Sequence, residues 1–68
     1  MEININNQLK KIPEDRMTLQ QLLQREISGN QQGIAVAINN KIVSKVNWCD
    51  TQLADKDEIM IIRATQGG

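Results

Sequence analysis

The sequence predicts an α+β domain, a mixed sheet of about five strands crossed by one main helix. Three observations carry that reading. Ile3 and Ile5 alternate with polar neighbours, the pattern of a strand buried on one face. Leu19, Leu22, Leu23 and Ile27 recur at i, i+3, i+4 and i+8, a single apolar stripe along a helix. Two later apolar runs, 34–38 and 59–62, offer a sheet against which that stripe can lie.

Each element follows in order. After the first strand, Asn6-Asn7 tolerates the left-handed backbone of a tight hairpin. A short second strand runs from Gln8 to Ile12 and is cut off by Pro13, and Glu14 to Met17 reads as a polar connection. Thr18 and Gln21 fit a capping box, in which the hydroxyl accepts from the backbone and the amide reaches back. Ser28-Gly29-Asn30 supplies the helix stop, with Gly29 suited to a left-handed cap. Ile34 to Ile38 is apolar throughout, as expected of an interior strand, with bulky and small residues alternating between faces. Asn39-Asn40 turns the chain into Lys41-Ile42-Val43. From Ser44 to Leu53 the pattern is irregular, and Trp48 is placed as the plug of one end of the core. Asp55-Lys56-Asp57 forms the last turn, and Glu58 to Ala64 the final strand. This order is that of the β-grasp, the ubiquitin-like arrangement. The domain spans residues 1–64, and 65–68 form a flexible tail ending in Gly67-Gly68.

Composition narrows the function. With 68 residues the core is small, and ten isoleucines and a single aromatic residue, Trp48, make it aliphatic. Eight basic and eight acidic residues balance, which argues against binding nucleic acid. No signal peptide or membrane-length apolar run is visible, and a lone cysteine forms no internal disulfide, so a cytoplasmic setting is expected. No histidine and one cysteine leave neither a metal site nor a Ser-His or Cys-His nucleophile pair. The chain is therefore read as something other than an enzyme. Cys49 is followed by Asp50, which does not favour a thiolate, and it is read as a small hydrophobe or idle thiol.

At this point the sequence resembles the ThiS sulfur carriers of thiamin biosynthesis, within the wider group that includes MoaD. Gly33 to Asn39 followed by Lys41-Ile42-Val43 is similar to their VAVAVN-x-x-VV segment. Trp48, the Leu53 to Asp57 turn (L-x-D-G-D in the family), the Thr18 to Leu23 helix start and Gly67-Gly68 also fall in family order. Two positions depart from the pattern. Asn40 replaces a frequent Gly mildly, whereas Lys56 between its aspartates points to a different turn type.

The resemblance implies a carrier whose Gly68 carboxylate is the covalent site. Gly67 would allow entry to a partner's cleft, with Gln66 and Thr65 completing the tail. A ThiF-type enzyme would adenylate Gly68 with ATP and Mg, a cysteine desulfurase route would supply sulfur, and the resulting thiocarboxylate would serve a ThiG-type thiazole synthase. No cofactor is expected on the chain itself, and the free carrier is expected to be a monomer. Met60 and Ile62 share one face of the last strand; with Arg63 they are read as a partner-docking surface or as ordinary exposed surface. Three alternatives stand: the small subunit of molybdopterin synthase, a ubiquitin-like modifier joined to lysines of target proteins, and a binding module that undergoes no chemistry.

Overall fold

A computed structural model describes residues 1–27 and 33–63. Strands β1 (Glu2–Ile5) and β2 (Gln8–Lys11) form a hairpin, helix α1 (Leu19–Glu26) follows, and β3 (Ile34–Ile38) and β4 (Lys41–Val43) form a second hairpin. A 3-10 helix, Lys45–Asp50, then leads to β5 (Glu58–Arg63). The sheet order is β2-β1-β5-β3-β4, with β1 and β5 parallel and every other neighbouring pair antiparallel. This is the expected β-grasp, and β5 occupies its centre.

Both hairpins turn on paired asparagines in the left-handed region, Asn6 and Asn7 at φ 51° and 68°, Asn39 and Asn40 at 51° and 71°. Asparagine tolerates that region better than most residues, so these turns come at little steric cost. The capping box forms as read. The Thr18 hydroxyl accepts from Gln21 N at 3.2 Å, and Thr18 N donates to the Gln21 side-chain oxygen at 3.0 Å. The helix closes earlier than Gly29, because Ile27 has turned extended at φ −121° while its N–H still reaches Leu23 O at 2.8 Å. The Ile27 side chain is buried in the core, and the expected Gly29 cap lies outside the described residues.

The apolar stripe of α1 lies on one face of the sheet. Ile3, Ile5, Val36 and Ile59 from the strands meet Leu19, Leu22, Leu23 and Ile27, with Ile12, Met17 and Leu53 at the margins. Trp48 is buried on the 3-10 helix, its indole N–H donating to Val43 O at 3.0 Å, so the one aromatic side chain plugs the core with its polar atom satisfied. Leu19 N donates to Thr51 O and Leu53 N to Met17 O, both at 2.8 Å, tying the segment after Trp48 to the helix start.

The last turn corrects one expectation. Lys56 adopts φ 70°, the conformation a glycine would take, instead of a different turn geometry. Asp57 N donates to Ala54 O at 3.1 Å, which puts Lys56 third in a four-residue turn, where a type II turn requires positive φ. The flanking aspartates hold it there. Ala54 N donates to the Asp57 carboxylate at 2.8 Å and Glu2 N to that of Asp55 at 2.7 Å, while Lys56 N donates to Glu2 O.

Candidate functional site

The candidate site is built on β5, because that strand leads to the residues that carry the predicted chemistry. Gly68, Gly67, Gln66 and Thr65 lie outside the described residues, as does Ala64. Arg63, the last described residue, ends a strand paired on one side with β1 and on the other with β3. The strand that leads to those residues is thus the middle one of the sheet.

Strand alternation divides β5 between two environments. Ile59 is buried and Ile61 half-buried on the helix side. Met60 and Ile62 point the other way, 46% and 50% exposed. Pairing extends their surface across the sheet. Ala37 stands opposite Met60 and Ala35 opposite Ile62 on β3, and Ile42 on β4, 72% exposed, stands opposite Ala37. Small alanines between larger aliphatic groups leave a low, apolar face. At its far side Leu9 of β2, 62% exposed, lies opposite Asn4 of β1.

Arg63 does not join this face. It shares the parity of Ile59 and Ile61, pairs with Ile34, and lines a groove on the helix side with Ile5, Asn6, Glu26, Ile27 and Ile61. The structure therefore brings Met60 and Ile62 together and places Arg63 across the sheet from them. Ile42, Ala35, Ala37 and Leu9 were missed in the sequence. The Asn39-Asn40 turn held the signal for Ile42, since a two-residue hairpin fixes its register opposite Ala37.

Where β5 begins, an open hollow of about 300 Å³ lies between the two asparagine turns, lined by Asn4, Asn7, Ala37, Asn40, Glu58 and Met60. Cys49 is an exposed thiol on the 3-10 helix. Among the described residues, no cluster of three or more His, Cys, Asp or Glu could hold a metal ion, and no helix is long and apolar enough to cross a membrane. The perturbed acid lies elsewhere. Arg25 donates to both oxygens of Glu14, at 3.0 and 2.6 Å, and that hydrogen bonding lowers the exposed Glu14 carboxyl from its ordinary 4.5 to about 2. This pair fastens the 13–17 connection to α1 and is remote in sequence from β5.

Residues 3–68 match the sequence profile of the ThiS family. No curated protein matches the sequence. Among solved structures, the chain is similar to the crystal structure of a thiamine biosynthesis protein (ThiS) from Geobacter metallireducens, with a TM-score of 0.87 at 16% identity, covering 100% of both chains. The solution structure of a thiamine biosynthesis protein from the same organism aligns with a TM-score of 0.83 at 16% identity, over 100% of this chain and 88% of that one. At such identity these two likenesses establish the fold.

Proposed function

This chain belongs to the ThiS family, and from that membership we propose that it is a sulfur carrier for the thiazole branch of thiamin biosynthesis. The covalent site is the Gly68 α-carboxylate. A carboxylate resists nucleophiles because its charge is delocalised and oxide is a poor leaving group, and an α-carboxyl with a pKa of about 3.3–3.7 is ionised at neutral pH. ATP, bound with Mg by a ThiF-type partner, converts it to an acyl-adenylate with loss of pyrophosphate. A sulfide-level nucleophile then forms a C–S bond as the C–O bond to AMP breaks, leaving a thiocarboxylate. Donation of that sulfur to a ThiG-type thiazole synthase, with water supplying the oxygen, returns the carboxylate; a cysteine desulfurase route is the ultimate source of sulfur, its persulfide reduced by thiols to the sulfide level.

The observation that carries this reading is the family match through residue 68, on a fold whose central strand ends at Arg63. Residues 1–64 are the folded body and 65–68 the tail. Fully extended, residues 64–68 would carry the carboxylate up to roughly 17 Å beyond Arg63, enough to enter a recessed site. Gly67 and Gly68 offer no side chain to obstruct it, and Gln66 and Thr65 line the approach. Met60 and Ile62, with Ile42 beside them, form the docking surface on the helix-free face, while Arg63 meets the partner from the other side. The carrier acts in the cytoplasm as a co-substrate, binds no cofactor of its own, and is monomeric when free.

Deleting the gene in its own cells tests the pathway. The expected result is a growth requirement for thiazole, relieved by the wild-type chain and not by Gly68→Val. A requirement for molybdopterin instead, or full rescue by Gly68→Val, would overturn the proposal.

A further inference from the structure

The main chain of Ile61 is held by a side chain where a strand is missing. Asn39 N donates to Glu58 O across the β3–β5 pair, so by alternation Met60 and Ile62 exchange hydrogen bonds with β3. The N–H and C=O of Ile61 face the opposite way, toward β1. There the ladder has run out. Asn6 N still donates to Ile59 O at 2.9 Å, but Asn6 has φ 51° and the chain turns back toward β2. The Asn6 carboxamide continues the pairing in place of the absent peptide. Its Oδ1 accepts from Ile61 N at 2.8 Å and its Nδ2 donates to Ile61 O at 3.3 Å. A carboxamide has the donor and acceptor of a peptide unit, so it can fill one rung of a ladder.

We infer that Asn6 is a positioning residue for the carrier tail: its side-chain amide anchors the main chain of Ile61 and so steadies the end of β5 from which the tail continues. This rests on the sulfur-carrier reading given above. Asn39 performs the matching task at the start of the strand, its Oδ1 accepting from Glu58 N at 3.0 Å. The strand is thus gripped by an asparagine from each hairpin. Chemistry at Gly68 occurs within the partner, so loosening Ile61 leaves the reaction barrier alone. It raises instead the conformational entropy lost when the tail is threaded into the partner. The effect belongs in KM.

Asn6→Gly separates this role from the turn, because glycine accepts φ 51° without strain but removes both hydrogen bonds. Asn6→Asp keeps the acceptor for Ile61 N–H, and Asn7→Gly, at the neighbouring left-handed position, controls for a looser hairpin. Trp48 fluorescence establishes that each variant is folded. By NMR, the Ile61 amide is expected to exchange roughly tenfold faster in Asn6→Gly, to be largely restored in Asn6→Asp, and to be unchanged in Asn7→Gly. With a ThiF-type enzyme and ATP, Asn6→Gly is expected to raise KM for the carrier several-fold with kcat within about twofold of wild type. Unchanged exchange at Ile61, an unchanged KM, or equal effects from Asn7→Gly would each overturn the inference. Failure of the wild-type chain to be adenylated would sink the carrier reading and the tail-positioning role with it, whereas the exchange measurement needs no partner and judges the anchor separately.

Discussion

Ile59 and Met60 are neighbours in sequence, yet one is 2% exposed and the other 46%. The two faces of this sheet are both apolar along β5 and β3, but among the described residues only one is covered. On the helix side, isoleucine, valine and leucine side chains interlock with α1 and Trp48 and hold the fold together. On the other side Met60, Ile62 and Ile42 flank alanines, and among the described residues no helix covers them. Burial gives the first face its contribution to stability; exposure of the second is what the proposed docking requires. Strand parity assigns these roles, and a one-residue slip of β5 would exchange them.

The comparison is broken most severely from the covered side. Trp48→Ala is expected to cost about 3–5 kcal/mol in chemical denaturation, and Ile59→Ala about 2–5 kcal/mol. In so small a domain, losses of that size remove much of the stability margin. Met60→Asp and Ile62→Asp should cost about 1 kcal/mol of stability each, less than either core truncation, yet lower kcat/KM for activation by a ThiF-type enzyme by roughly tenfold each. If the aspartates left the chain folded and kcat/KM unchanged, the assignment of the second face to docking would fail.

Smaller effects sharpen the picture of what holds α1 over its face. Thr18→Ala removes one half of the capping box and should cost about 1 kcal/mol, measured by the shift in denaturation midpoint. The Glu14–Arg25 pair gives the smallest effect, with a defined pH signature. The folded Glu14 carboxyl sits at about 2, below its ordinary 4.5, so the unfolded chain binds the proton more tightly. The pair's stabilisation is therefore present above about 4.5 and disappears as pH falls toward 2. Glu14→Gln should flatten that part of the stability–pH curve; because both partners are exposed, the change at neutral pH should be slight.

Features set by local interactions were legible in the sequence. The asparagine turns, the Thr18–Gln21 box and the spacing of Leu19, Leu22 and Leu23 each depend on residues a few positions apart, and each formed as read. The Trp48 plug was legible because a lone aromatic residue in an aliphatic chain has few other places to go. One reading fell short where distant contacts decide. Lys56 keeps a left-handed φ because Asp55, Asp57 and Glu2 hold the turn around it. Arg63 shares the helix-side parity of Ile59 and Ile61, which strand alternation alone makes legible. The Asn6–Ile61 contact, which joins opposite ends of the chain, leaves no local signature at all.

The most direct test of the carrier chemistry is the intact mass of the protein after incubation with a ThiF-type enzyme, ATP, Mg and sulfide. The account predicts a species heavier by the exchange of one oxygen for sulfur, with fragmentation placing that exchange at Gly68. Recovery of the plain carboxylate alone, from an activating enzyme proven to charge another carrier, would contradict it.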